Sequence, residues 1–169
     1  MTTRVDARAM RVAARKASQD GNLFGRLSAS AIASRGQAQR LLTAGPGLSI
    51  TEWRILWDLA EAGPLSIQDM ATIQRTDHSL ISRALPAMRQ KGIVETTRNT
   101  EDKRQSLVML TAQGRAVYDS AAPIMQLRRD TLAQTFTPQE MRSLLGLLDR
   151  FDAFLTQPLA PLPSPQDAP

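Results

Sequence analysis

Two short helical patterns follow one another closely in the middle of the chain, between Gly63-Pro64 and Lys91-Gly92. Ser66 is placed to cap the first pattern, over residues 67–73, and Thr76 or Asp77 to cap the second, which runs to residue 90. Only a tight turn fits between the two helices. This spacing is the one that a helix-turn-helix requires.

The hydrophobic period changes after Gly92, from about 3.6 residues to 2. Residues 93–98 and 105–110 are rich in residues that favour strands, and the six residues between them are polar. We therefore predict a β-hairpin with a charged tip directly after the helix-turn-helix.

Helical patterns also flank this central region. A long helix is predicted over residues 20–42, a capping box at Ser49 and Glu52 begins a second, and Thr111 caps a helix that Pro123 should kink. A capping box at residues 137–140 then begins a helix with a leucine-rich stripe, typical of a core or of a partner surface. The expected fold class is mainly α with a small β-wing.

Composition excludes several kinds of chemistry. The chain contains no Cys and a single His, which removes thiol nucleophiles, disulfides and thiolate metal sites, and makes a metal site improbable. Nucleotide-binding glycine loops and nucleophile motifs are absent, and the pairs Asp58/Glu61 and Glu101/Asp102 are better explained as solvated surface groups than as acid/base pairs. The sequence therefore predicts no enzyme, no cofactor and no metal.

The charge balance favours a polyanionic partner. The net charge is +5, and 18 of the 21 basic residues are Arg, which binds phosphates and guanine edges with two hydrogen bonds. Near the N-terminus, Arg4, Arg8, Arg11 and Arg15 would share one face of a helix, although a solvated basic arm is the alternative.

The second central helix carries the candidate DNA-reading residues. Ile81, Leu85 and Met88 would be buried, and the opposite face near the helix N-terminus would contact phosphates and base edges. With the preceding turn and the basic hairpin, the predicted DNA-binding set is Arg75, Thr76, His78, Ser79, Ser82, Arg83, Arg98, Lys103 and Arg104.

Residues 48–118 resemble the winged helix-turn-helix of MarR-type transcription regulators. The resemblance is carried by SR at 82–83, KGIV at 91–94, DKRQS at 102–106 and LTAQG at 110–114. It implies that the helix from Asp77 enters the major groove, that Arg104 reaches a minor groove, and that Asp102 holds Arg104 by an ion pair. Pro86 departs from the pattern and is expected to interrupt the reading helix.

The resemblance also implies a domain organisation, a winged helix-turn-helix joined to a helical dimerisation domain. The dimerisation region is expected at 19–47 and 111–155 and the winged helix-turn-helix at 48–110. Composition adds a basic extension at 1–18, longer than the family usually carries, and a disordered proline-rich tail at 156–169. We expect a cytoplasmic homodimer, bacterial or archaeal and associated with the nucleoid. It would bind a pseudo-palindromic double-stranded operator and act as a repressor rather than an activator. No membrane partner is expected. The alternatives are a non-catalytic protein-interaction module and a DNA-binding protein without an effector.

MarR-like proteins commonly respond to small aromatic compounds, and the absence of Cys leaves an organic effector, such as an aromatic acid or its thioester, as the expected signal. Trp53 and Trp57 are the large flat surfaces available, with filling of the core as their alternative role. The predicted effector residues are Arg15, Arg26, Leu27, Ser30, Ala31, Ser34, Trp53, Trp57, Tyr118 and Met125.

Overall fold

The computed structural model describes residues 4–98 and 106–158. In chain order the elements are α1 (Arg4–Asp20), α2 (Leu23–Ala44), α3 (Ile50–Ala62), α4 (Ile67–Gln74), α5 (His78–Gln90), β1 (Val94–Arg98), β2 (Ser106–Leu110), α6 (Ala112–Thr135) and α7 (Pro138–Leu155). The predicted fold class, mainly α with a small β-wing, is confirmed. None of the helices in the described ranges is long and apolar enough to cross a membrane.

The chain divides into two compact units, one ending at Gln126 and the other beginning at Leu127. In the first unit, α3, α4, α5 and the hairpin surround one hydrophobic core. The largest fully buried side chains of this core are Trp53, Leu42, Ile55, Leu56, Met70, Ile81 and Met88.

The helix starts are set by side chains that accept hydrogen bonds from unpaired backbone amides. Ser49 and Thr137 form the predicted capping boxes, and Ser66 forms another in which Asp69 takes the place of Glu. Asp77, rather than Thr76, caps α5. The two prolines inside helices do not end them: α5 continues through Pro86, and α6 through Pro123.

The long helix predicted over residues 20–42 is α2, which begins at Leu23. A separate helix, α1, precedes it, and the two meet at Gly21 and Asn22, where the Asn22 side chain accepts a hydrogen bond from the Gly25 amide and caps α2. The first of these, α1, shows that the basic segment is helical rather than an irregular arm.

The hairpin is antiparallel, with Val94 opposite Leu110 and Arg98 opposite Ser106. Leu65, just before α4, pairs with Val108 through two backbone hydrogen bonds of 2.8 and 3.0 Å, which ties the hairpin to the helix-turn-helix. The predicted hairpin tip, with Glu101, Asp102, Lys103 and Arg104, lies outside the described residues.

The base of the hairpin is packed closely against the start of α6. Thr111 donates to the Gly92 carbonyl at 2.6 Å and accepts from the Gly114 amide at 2.9 Å, which confirms its predicted capping role. A Cβ atom added at Gly114 would lie 1.8 Å from the Ile93 carbonyl oxygen. Only glycine permits this approach of the two backbones.

Large apolar side chains remain exposed on α2 and α7. Leu23, Phe24 and Ile32 of α2 are more than half exposed. On α7, no residue is buried, and the exposed large apolar residues are Leu144, Leu145, Leu147, Phe154 and Leu155. Several exposed large apolar side chains on one helix are typical of a surface that binds a partner.

Candidate nucleic-acid interface

The N-terminus of α5 is organised around Asp77. Its carboxylate accepts a hydrogen bond from the Ser79 amide at 2.6 Å and lies 3.2 Å from the His78 ring. Hydrogen bonds from Ser79, and then from His78, lower the pKa of Asp77 to about 2. The helix therefore begins with a fixed cap, and its positive end faces outward.

The side chains on α5 are distributed as predicted. Ile81, Leu85 and Met88 are buried in the core, whereas His78, Ser82 and Arg83 are exposed and Ser79 is half-buried. The Arg83 guanidinium donates to the Ser79 carbonyl at 3.1 Å, which directs this side chain toward the helix N-terminus. One face of α5 thus anchors the helix while the other presents hydroxyls, an imidazole and a guanidinium.

Pro86 lies on the exposed side of α5. Because proline has no amide hydrogen, the Ser82 carbonyl one turn earlier receives no helical hydrogen bond from position 86. The helix is continuous, so the predicted interruption is wrong at the level of secondary structure.

The turn between α4 and α5 has a left-handed residue, Arg75, with φ 48° and ψ 52°. This is an unusual conformation for a side chain other than glycine. The Thr76 amide donates back to the Ala71 carbonyl at 3.0 Å, which closes the turn. Arg75 is exposed and Thr76 half-buried, beside the start of α5, where both were predicted to contact DNA.

A polar network from α3 holds this turn, and no local pattern in the sequence indicates it. Arg54 donates to the Gln74 carbonyl at 2.8 Å, and the Gln74 side chain donates to Asp58 at 2.6 Å. Gln74 is 8% exposed. Asp58 is therefore a half-buried structural group, and the interpretation of it as a solvated surface residue is wrong.

Burial governs the ionisation of this network. It raises the pKa of Asp58 although Gln74 and Arg54 act in the opposite direction, and it lowers the pKa of Arg54, with Arg35 of α2 as a further repulsive charge. Partial desolvation strengthens the hydrogen bonds that orient the turn.

Two further contacts brace the hairpin side of α5. Lys91 donates to Glu52 at 2.6 Å, and Arg89 donates to the Thr96 hydroxyl at 3.2 Å. Burial raises the pKa of Glu52, but hydrogen bonds from Lys91 and Ser49 outweigh it and the net pKa is lowered. Arg98 lies exposed at the far end of β1, next to the hairpin tip.

Part of the predicted effector set forms a stack of aromatic rings. Trp53 lies parallel to Tyr118 with ring centres 5.6 Å apart, and Trp57 lies 5.9 Å from Trp53 on α3. Trp53 and Met125 belong to the core, as the alternative interpretation of Trp53 predicted, whereas Trp57 is 37% exposed. Tyr118 donates to Glu61 at 3.0 Å.

The remaining predicted effector residues lie on α1 and α2. Ser30, Ala31 and Ser34 are exposed, and Leu27 is half-buried. The two arginines bond near the α1–α2 junction: Arg15 donates to Ser18 at 3.3 Å, and Arg26 lies 3.6 Å from Asp20. A separate pocket of about 340 Å³ lies at the base of the hairpin, lined by Pro46, Gly47, Leu48, Lys91, Ile93, Gln113 and Val117.

Comparison with known proteins identifies the same region. The MarR family model matches residues 48–106. The homoprotocatechuate degradative operon repressor of Escherichia coli is 27% identical over 106 residues, which cover 63% of this chain and 72% of that protein.

Solved structures extend the likeness beyond the winged helix. A MarR-family transcriptional regulator from Silicibacter pomeroyi aligns with a TM-score of 0.65 and 29% identity, over 83% of this chain and 95% of that one. BpsR of Bordetella bronchiseptica, whose DNA binding is regulated by 6-hydroxynicotinic acid, aligns with a TM-score of 0.69 over 79% of this chain and 94% of its own, and at 17% identity it shows the fold alone. The capped reading helix, the braced turn and the hairpin, together with these likenesses, support a MarR-type transcription regulator.

Proposed function

We propose that this chain is a repressor that binds a pseudo-palindromic operator as a homodimer and leaves it when a small organic effector binds. The observation that carries the proposal is the outer face of α5, where His78, Ser82 and Arg83 surround the positive end of a helix whose other face is buried. A helix anchored in this way fits the major groove with its N-terminal residues against base edges.

Different roles follow for the basic residues. The Arg83 guanidinium lies on the reading face and is suited to the two acceptors of a guanine edge, while Ser79 and Ser82 are suited to phosphates. Arg98 and the tip residues Lys103 and Arg104 are proposed to bind the backbone or minor groove, with Asp102 orienting Arg104.

Measured affinities for the preferred operator and for a random duplex separate these roles. Arg83→Ala should weaken operator binding by about 1–3 kcal/mol and relax base preference, while random DNA is bound nearly as before. Arg104→Ala should weaken both duplexes equally, and Asp102→Ala should do so to a smaller extent. Arg150→Ala, at an exposed site on α7, serves as the control for loss of one charge. Identical behaviour of the Arg83 and Arg104 variants on both duplexes would contradict the assignment.

The homodimer is proposed from the exposed apolar residues of α2 and α7. Leu144, Leu145 and Leu155 are 41–55% exposed in the single chain. Burial of such side chains against a second copy stabilises a dimer by roughly 25 cal/mol for each Å² of apolar surface removed from water. Static light scattering at micromolar concentration should give twice the chain mass of 18.6 kDa. A monomeric mass would refute the dimer.

An aromatic acid or its thioester is the proposed effector. Support comes from the half-exposed edge of the aromatic stack at Trp57, and from BpsR, which shares the fold and responds to 6-hydroxynicotinic acid. A ligand that binds the DNA-incompetent form more tightly releases the operator in proportion to that difference in affinity.

A screen of aromatic acids, phenols and thioesters should find compounds that both displace operator and change tryptophan fluorescence. Trp57→Phe, compared with the wild type, identifies the part of the signal that arises at the exposed ring. If no compound changes either signal while the operator is bound tightly, the chain is a DNA-binding protein without an effector. If no DNA is bound, the repressor proposal itself fails.

A further inference from the structure

The helix α1 presents a row of arginines outside the winged helix. Arg8, Arg11 and Arg15 are exposed and lie within about 60° of one another around the helix axis. Arg4 precedes them at the same spacing in the sequence. The row is separate from α5 in sequence, and the proposed operator contacts do not use it.

The acidic groups near α1 leave this row positively charged. Asp20 binds Lys16 at 2.7 Å and lies 3.6 Å from Arg26, so it serves the junction with α2. Lys16 and Arg26 also help to keep the pKa of Asp20 low, the hydrogen bond from Lys16 being the largest cause. Asp6 is two residues from Arg8, which places it on the other side of the helix.

We infer that α1 binds the phosphate backbone of duplex DNA, as a second DNA-binding surface of this chain. This inference rests on the proposed function, since it needs a duplex held by the winged helix. The spacing supports it: Arg8 to Arg15 spans about 10 Å at 1.5 Å per residue. Measured along the DNA axis, one strand has a phosphate about every 3.4 Å, so about three phosphates lie within that length.

The opposite face of α1 favours DNA over a lipid surface. It carries Met10, Ala13 and Ala17, and α1 contains no aromatic residue and no Leu or Ile. A helix that lies in a membrane interface needs large apolar side chains opposite its basic face. Attachment to a DNA-binding unit also keeps α1 at high effective concentration near phosphates.

The arginines explain why α1 would gain from such a partner. Arg8 and Arg11 are three residues apart and Arg11 and Arg15 four apart, so like charges are neighbours on the helix surface. Phosphates on the same face would neutralise this repulsion. Binding and helix stability should therefore reinforce one another.

The test measures the affinity of the full chain for a random 40-base-pair duplex between 50 and 200 mM salt. The variant is Arg8→Gln/Arg11→Gln/Arg15→Gln, because Gln retains helix propensity. For each copy of α1 that contacts DNA, the substitution of three arginines should reduce the slope of log affinity against log salt by about 2.7. Between 50 and 200 mM salt, the affinity of the wild type should therefore fall by about 40-fold more than that of the variant.

Two controls isolate the row. Replacement of the same arginines by Lys should restore at least most of the salt slope, since phosphate binding needs charge more than geometry. A charge-matched variant, Arg40→Gln/Arg142→Gln/Arg150→Gln, removes three exposed arginines elsewhere and should change the slope by less than 1. Operator binding by the Gln variant should fall in the same proportion as random binding, whereas Arg83→Ala lowers operator preference.

The outcomes separate the inference from the proposed function. If the wild type binds DNA and the Gln variant matches the charge-matched control, the α1 surface is refuted and the repressor proposal stands. If the Gln variant loses only its binding to vesicles containing 30% phosphatidylserine, α1 is a membrane surface and the inference is wrong. If the wild type binds no duplex, both proposals fail.

Discussion

Gly114→Ala should destabilise the winged helix because two backbones meet at this position. The new Cβ would lie 1.8 Å from the Ile93 carbonyl oxygen and 2.8 Å from the Ile93 carbonyl carbon. Real Cβ contacts under 3.0 Å are essentially absent, so the backbone around Ile93 or Gly114 must move by at least 1.2 Å, the difference between 3.0 and 1.8 Å. No flexible side chain is available to move instead.

The magnitude follows from two opposing effects. Ala in place of Gly in a helix contributes up to about 1 kcal/mol, whereas overpacking of a well-packed site costs about 1–3 kcal/mol and more when backbone must shift. We expect the cost of overpacking to exceed the gain, with a net loss of about 1–2 kcal/mol in the free energy of unfolding. For a chain of this size that lowers the melting temperature by about 2–8 °C.

Gly36→Ala provides the matched control. Gly36 is also inside a helix, but the nearest atom to its added Cβ is the tip of the flexible Arg40 side chain at 3.5 Å. This variant should gain about 0.5–1 kcal/mol. Thermal and urea unfolding of both variants, at one fixed protein concentration, gives the comparison.

A DNA-binding assay adds a second readout. Ile93 directly precedes β1, so its displacement should also shift Arg98 and weaken binding to operator and random duplex alike. If Gly114→Ala is as stable as the wild type, or as stable as Gly36→Ala, the close approach between α6 and the hairpin base does not constrain the fold.

Three further predictions concern the charged groups. Lys91→Ala should lower the free energy of unfolding at pH 7 by about 1–2 kcal/mol in urea titrations, because the largely buried Glu52 carboxylate loses its partner. The pKa of Glu52 is lowered, so in the wild type the pair stabilises the fold above the ordinary pKa of 4.5, and this stabilisation is lost as the pH falls below it. The pKa of Asp77 is lowered to about 2 from an ordinary 3.8, so its contribution to the free energy of unfolding is present above about pH 4 and lost toward pH 2. Asp77→Asn keeps a helix cap and should remove most of the change in stability between pH 4 and pH 2, measured by circular dichroism. The pKa of Asp58 is raised, so its ionisation lowers the free energy of unfolding as the pH rises above about 4. Asp58→Asn should therefore give an equal or higher melting temperature at pH 7. A clear decrease in melting temperature would show that the ionised Asp58 stabilises the fold.

Local signals in the sequence predicted the framework of the fold well. Ser49, Ser66, Thr111 and Thr137 each act within three residues of their own position, so their capping roles are visible in the sequence. The buried stripe of α5 has the same local character, because helical periodicity alone selects Ile81 and its neighbours one and two turns later.

Contacts between distant positions were not predictable in this way. Arg54 and Asp58 reach Gln74 across 20 and 16 residues, and helical periodicity only says that both are polar. The state of the basic segment before Gly21 was not fixed by the pattern either, because its Ala, Ser and Arg residues are compatible with a helix and with a solvated arm. Nor does periodicity show whether Ile32 or Leu145 is covered by the chain itself or exposed to a second copy.

Pro86 bears on the sequence specificity with which α5 would bind DNA. Because the Ser82 carbonyl receives no helical hydrogen bond from position 86, we expect the turn that carries Ser82 and Arg83 to bend more easily than a fully hydrogen-bonded helix, while Leu85 and Met88 stay buried. A helix that bends more easily can adjust its angle to a half-site that differs from the preferred sequence and keep its remaining contacts. The loss of binding free energy for each mismatched base pair should then be smaller than the usual value of about 1–3 kcal/mol. We therefore expect a regulator that occupies a family of related, imperfect sites, so that one protein controls several genes in graded order as its cellular concentration changes.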